Sequence, residues 1–145
     1  MARLTVPLGS RVYVDTAPII YTIEENEDLA AVMEPVWKAL ADGDISVVTS
    51  ELSLLETLVR PIRNSDAKLI DSYTELLTSG EVSLIPISIS ILREAAELRA
   101  NQNFKTPDAI HAATALASGC DGLLANDNTF RRLQNVEVTV ISDLI

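Results

Sequence analysis

Short apolar runs alternate with helix-patterned segments along the whole chain, and that alternation constrains the fold more than any other feature. Val12, Tyr13 and Val14 lead into Asp15, so a first strand is expected over residues 11–15. Further buried strands are expected over 45–49, 81–85, 122–125 and 136–141. A helix starting near Thr16 carries Pro18 in its first turn, where a missing N–H does no harm, and turns Ile19, Ile20 and Ile23 inward. A second covers 28–41, with Leu29, Val32, Met33, Val36, Trp37 and Leu40 at helical spacing. Ser50 caps a third that reaches Val59 and is stopped by Pro61. Others fit 65–78, a stretch from Ser88 or Ser90 to Ala100, a stretch capped by Thr106 with Pro107 at its first position, and a short one at 128–133. Strands alternating with helices form a parallel sheet covered on both faces. The expected class is α/β: a three-layer α/β/α sandwich with a central parallel five-stranded sheet and right-handed crossovers.

Bulk properties narrow the function. One domain over 1–145 is expected, with 1–10 as a loose lead-in broken by Pro7, Gly9 and Ser10. Hydrophobic residues make up 48% but aromatics only 4%, so aliphatic side chains and alanine must fill the core. No apolar run approaches the ~18 residues of a membrane span. The first ten residues lack a signal-peptide core, and a cytoplasmic location with no membrane partner is expected. Cys120 is the only cysteine and His111 the only histidine. An internal disulfide, a thiolate metal site, a histidine-rich zinc centre and a catalytic histidine pair are thereby excluded. The net charge of −10 argues against binding nucleic acid by bulk charge. It leaves room for a nucleic-acid enzyme with a local basic rim, because carboxylates gathered to hold cations count toward that charge.

Four acids stand where such a sheet would bring them together. Asp15 and Asp127 fall at the carboxyl ends of expected strands, Asp108 opens the alanine-rich helix, and Glu56 lies about one and a half turns into the helix after the second strand. Each alone has an ordinary explanation. Asp15 and Asp127 suit helix caps, Asp108 complements a helix dipole, and Glu56 suits a solvated helix face. Together they suggest more, because acids at the edge of a core are costly unless something offsets their charge. Oxygen ligands without Cys or His favour a hard cation, Mg²⁺ or Mn²⁺. One or two such ions would serve phosphodiester cleavage by activating water and stabilising the leaving oxygen.

The residues also resemble a known family. Val12 to Tyr21 looks like the opening motif of PIN-domain nucleases, Thr49 to Glu56 like their second acidic motif, Asp108 to Leu116 like the third, and Leu123 to Phe130 like the fourth. Each is weak alone; four in order over roughly 11–141 are specific. The resemblance implies a PIN fold and a metal-dependent ribonuclease, most similar to the VapC-type toxin of a toxin–antitoxin pair. It implies Asp15, Glu56, Asp108 and Asp127 as the acidic centre binding Mg²⁺ or Mn²⁺, with Thr16 and Asn126 as polar neighbours that order it. RNA substrate, an antitoxin partner and a homodimer follow from the same resemblance. Two departures matter. Ala125 stands where the family often has a hydroxyl residue, and Glu51 competes with Glu56 five residues later. Glu56 is preferred because the motif aligns there and Glu51 would sit in the exposed first turn.

Other residues have plainer readings. Arg60, Lys105 and Arg131, with Arg63 and Arg132, lie near motif-bearing segments and are candidate RNA contacts, although solvated surface charge explains them as well. His111 is three residues after Asp108 and could approach substrate, but a packed or surface histidine is the simpler reading. The rival function is a PIN-like RNA- or partner-binding protein with weak or no nuclease activity. A phospho-receiver domain also carries acids at strand ends, but no lysine follows Lys105 to serve it.

Overall fold

A computed structural model describes residues 4–145. The elements run β1 (Arg11–Val14), α1 (Thr16–Ile23), α2 (Glu27–Ala41), β2 (Ser46–Ser50), α3 (Glu51–Arg63), α4 (Ala67–Thr78), β3 (Ser83–Ile85), α5 (Ile89–Gln102), α6 (Thr106–Ala117), β4 (Gly122–Ala125) and β5 (Glu137–Val140). Single 3-10 segments lie at Asn128–Arg132 and Ile141–Leu144. The strands form one parallel sheet in the order β3-β2-β1-β4-β5. The chain builds outward from β1 to β3, then returns to lay β4 against the other side of β1. The strand order reverses between β1 and β4, and the carboxyl ends there are where ligands bind in sheets of this kind.

Successive strand residues face opposite layers. Tyr13, Val48 and Leu123 pack with Ile91, Ala95 and Leu98 of α5 and with Ala109, Ala112, Ala113 and Ala115 of α6. Val12, Val14, Val47 and Leu124 pack with Ile19 of α1, Val32, Met33 and Val36 of α2, and Tyr73 and Leu77 of α4. The four α6 alanines are fully buried, so small side chains let α5 and α6 lie close together.

Several boundaries differ from the sequence-based expectations. Proline does not stop α3: Pro61 lies inside the helix, which continues to Arg63. Only its own N–H is missing. The backbone N–H of Asn64 still reaches the Arg60 carbonyl at 3.0 Å, that of Asp66 reaches the Pro61 carbonyl at 2.9 Å, and the Pro61 ring is buried. Thr106 is the first helical residue of α6 rather than its cap; Lys105 takes the cap position without a side-chain bond. The Thr106 hydroxyl instead accepts from the Arg99 guanidinium. Helix α5 runs through Asn101 and Gln102 and ends at Asn103, whose φ of 58° breaks the helical path. Residues 4–10 contain no helix or strand, yet Leu4 is buried and the Gly9 N–H bonds the Asp44 carbonyl at 2.7 Å. Residues 1–3 of the expected lead-in lie outside the described residues. Among the described residues, no helix is long and apolar enough to cross a membrane.

Candidate active site

The four acids fall on four different elements at the same end of the sheet. Asp15 directly follows β1 at the N-cap position of α1, and its backbone N–H bonds the Leu124 carbonyl of β4 at 2.9 Å. Its side chain caps nothing, although only 8% of the residue is exposed. The ordinary explanation of a helix cap therefore fails at this residue. Burial raises the Asp15 carboxyl above the usual range, and the charges of Glu56 and Asp127 add to that, against the pull of His111 and the Thr16 N–H. Asp108, the third residue of α6, is half-buried, and its carboxyl is raised by burial and by the charges of Asp127 and Asp15. Asp127, just past β4, is exposed and does act as a cap, accepting from the Thr129 N–H at 2.8 Å. That bond holds its carboxyl below the ordinary value. The acids thus feel one another's charge, but among the described residues no three His, Cys, Asp or Glu side chains are gathered closely enough to hold a metal ion.

Glu56, on the second turn of α3, belongs to a buried polar network. Burial alone would raise its carboxyl, but bonds from His111 and Thr16 lower it overall. The Thr16 hydroxyl donates to Glu56 Oε1 at 2.8 Å and touches Ser53 Oγ at 3.1 Å. Ser53 meets the Thr49 hydroxyl at 2.7 Å, and Thr49 donates to the Val14 carbonyl at 2.7 Å. A file of hydroxyls thus runs from the end of β1 through β2 to the Glu56 carboxylate. Thr16 thus borders Glu56 directly. Asn126 does something different: its amide donates to the Tyr21 hydroxyl at 3.0 Å and its carbonyl accepts from the Ser142 N–H at 3.0 Å, tying α1 to the C-terminal segment.

His111 is the largest departure from the plain reading. It is 1% exposed and stands between the acids. Nε2 lies 2.7 Å from Glu56 Oε1 and 3.3 Å from Asp15 Oδ1, while Nδ1 meets the Tyr13 hydroxyl at 2.6 Å. Burial lowers the imidazole pKa, but the Glu56 bond and the charges of Asp15, Glu56 and Asp108 outweigh it, and the net shift is upward. Tyr13, Thr49 and Ser53 were not singled out in the sequence. Two signals point to Tyr13 and Ser53. Tyr13 is two residues before Asp15 and so shares its side of the strand, and Ser53 is one helical turn before Glu56.

Glu51 is exposed and occupied elsewhere, accepting the Ile87 N–H at 3.1 Å, which fastens the segment between β3 and α5 to α3. Of the basic residues, Lys105 and Arg132 lie close enough to help lower Asp127. The Arg132 guanidinium also donates to the Gln102 and Asn103 carbonyls at 3.1 and 3.3 Å. Arg131 is paired with Asp143, and the charge of Arg60 acts on Tyr73. Ala125 is fully buried on β4. Cys120 is buried and its thiol is pushed up to about 12, which leaves it inert.

Comparison with known proteins bears on this geometry. No curated protein matches the chain significantly. Three solved structures show the same fold. VapBC2 from Rickettsia felis, bound to a DNA fragment from its promoter, superposes with a TM-score of 0.68 at 16% identity, covering 89% of this chain and 97% of that one. A toxin–antitoxin complex from Klebsiella pneumoniae gives 0.67 at 21% identity, covering 90% and 97%. VapC20 from Mycobacterium tuberculosis, described as a sarcin–ricin loop cleaving toxin, gives 0.66 at 18% identity, covering 87% and 98%. The family model described as PIN domain matches residues 12–136, a span that contains all four acids and His111. On that match, the chain belongs to the PIN domain family.

Proposed function

We propose that this protein is a metal-dependent endoribonuclease and the toxin of a toxin–antitoxin pair. The observation that carries the reading is the convergence of Asp15, Glu56, Asp108 and Asp127 at one sheet end, where burial and mutual charge raise Asp15 and Asp108 despite the nearby His111. Groups held at such cost mark functional sites more often than structural ones. The donor chemistry fits Mg²⁺ or Mn²⁺, since all four carboxylates supply hard oxygen and a cation would relieve their repulsion. Asp15, Glu56, Asp108 and Asp127 would hold the metal. When bound, it would supply an activated water and charge stabilisation at the phosphate.

The chain's own residues supply the rest. Thr16, Ser53 and His111 hold Glu56 in place from the protein side. Asp127 presents an ionised oxygen at neutral pH, since the Thr129 N–H favours that form. Lys105 and Arg132, beside Asp127, offer positive charge to an RNA phosphate. Arg131 is tied to Asp143 and is the weaker candidate of the rim. Toxin–antitoxin assemblies among the structural neighbours support an antitoxin partner; a homodimer and a cytoplasmic setting belong to the same reading.

The test is direct. The purified protein, freed of any partner, should cleave structured RNA in Mn²⁺, and Asp15→Asn or Asp108→Asn should abolish cleavage. Cleavage that survives in both variants, or an inactive wild type, would sink the enzyme reading. The second reading is a PIN-like RNA- or partner-binding protein without nuclease activity. It draws on one observation, that no three donors among the described residues close around a common point. Tight RNA or antitoxin binding by an inactive wild type would favour it.

A further inference from the structure

Glu56 is reached by a chain of contacts that begins on the central strand. Tyr13 is fully buried on β1, and its hydroxyl lies 2.6 Å from His111 Nδ1. The far nitrogen of the same ring, Nε2, lies 2.7 Å from Glu56 Oε1 and 3.3 Å from Asp15 Oδ1. The two ends of the imidazole therefore face different chemistry. A carboxylate oxygen only accepts, so an Nε2 without hydrogen would set acceptor against acceptor at 2.7 Å. A phenol can donate, and burial together with the Asp15 charge keeps the proton on Tyr13. For the neutral ring, one hydrogen placement satisfies both ends: Tyr13 O–H donates to Nδ1, and Nε2–H donates to Glu56.

We propose that Tyr13 and His111 form a positioning relay in which the phenol fixes the imidazole as its Nε2–H tautomer and that N–H holds Glu56 beside Asp15. The proposal rests on the reading of these acids as a metal-holding site. Neither residue touches substrate or ion; both act through Glu56. The arrangement puts a buried, rigid reference behind a half-buried carboxylate. The ring is wedged by its edge-on contact with Tyr13, with centroids 5.8 Å apart and planes at 66°, so it has little freedom to turn. Without the relay, Glu56 keeps the Thr16 hydroxyl but loses its one buried nitrogen donor. Outer partners of this sort commonly change metal affinity by roughly 10- to 100-fold when removed.

His111 is the only histidine in the chain, so one pair of ring-nitrogen resonances reports on it without assignment. The experiment is a long-range ¹H–¹⁵N spectrum of the metal-free full chain at alkaline pH, followed by Mn²⁺ titration of the same samples. Wild type should show a protonated Nε2 and a bare Nδ1. Tyr13→Phe should remain folded by circular dichroism, show a mixed or reversed tautomer, and bind Mn²⁺ roughly 10-fold more weakly. His111→Gln, whose amide N–H mimics Nε2, should retain more Mn²⁺ affinity than His111→Leu. An Nδ1–H tautomer in wild type, a ring still doubly protonated at alkaline pH, or an unchanged ring spectrum in Tyr13→Phe would overturn the relay. If the spectra come out as expected while wild type binds no Mn²⁺, the relay stands and the metal-nuclease reading falls.

Discussion

The acidic cluster has two halves built on different principles. Asp15 and Glu56 form the inner half, with Asp15 buried and Glu56 held by Thr16 and His111. Asp108 and Asp127 form the outer half. Asp108 is half-buried and its side chain has no hydrogen-bond partner among the described residues, and Asp127 is exposed and engaged in capping a 3-10 turn. The inner half is tied to buried partners, whereas the outer half lies nearer to solvent. Burial is the main cause that raises Asp15 and Asp108, whereas hydrogen bonds lower Glu56 and Asp127, so each half pairs one strained acid with one relieved acid.

The largest expected effect tests whether both halves are needed. Asp15→Asn and Asp108→Asn should each lower Mn²⁺-dependent RNA cleavage by about 10³-fold or more, which corresponds to roughly 4 kcal/mol in the barrier. A drop at Asp15 alone, read in a gel-based cleavage assay, would reduce the site to its inner half. Next, Mn²⁺ at about 100 times its dissociation constant should stabilise wild type by about 2.7 kcal/mol in thermal melts. Asp15→Asn should lose most of that gain, whereas an equal gain in the variant would show the ion binding elsewhere.

A smaller effect runs in the opposite direction. Folding raises the Asp15 carboxyl, so the protonated acid is favoured in the folded state. Its contribution is present below the ordinary Asp value and is lost as pH climbs through the folded-state value. Metal-free Asp15→Asn should therefore melt above wild type at neutral pH, with the gap closing as pH falls toward the ordinary Asp range. A wild type that melts higher at neutral pH would show the inner half to be stabilising rather than strained. The smallest effect belongs to the outer half. Asp127→Asn keeps a good capping side chain and should change stability by less than about 0.5 kcal/mol, while Asp127→Ala should cost about 1 kcal/mol in denaturant melts.

The difference between the halves also explains what the sequence disclosed. The alternation of apolar runs and helical patterns is local, and it foretold the layers and the parallel sheet. Asp15, Asp108 and Asp127 stood out because each sits at a strand end or helix start, a position defined by its own neighbours, and Glu56 because it lies in an apolar helical pattern. The Tyr13–His111 contact joins residues 98 apart, and no local pattern marks it. A lone histidine on an alanine-rich helix looks like packing until the central strand is laid beside it. Pro61 misled for the reverse reason: a local rule about proline was overridden by burial of its ring and by backbone bonds on either side. Thr106 failed as a cap because Arg99, seven residues earlier, claims its hydroxyl.

Strand β1 has hydrogen-bonded neighbours on both sides, pairing Val12 with Val47 and Gly122, and Tyr13 with Val48 and Leu123. Its alternation sends Val12 and Val14 to one layer and Tyr13 to the other. Inserting or deleting one residue within this strand would therefore exchange more than packing. The phenol would turn toward α2 and α4, a valine would face the imidazole, and the first acid would leave its companions. Length variation is forbidden here by chemistry as well as by stability, whereas the turns at the opposite end of the sheet carry no such double constraint.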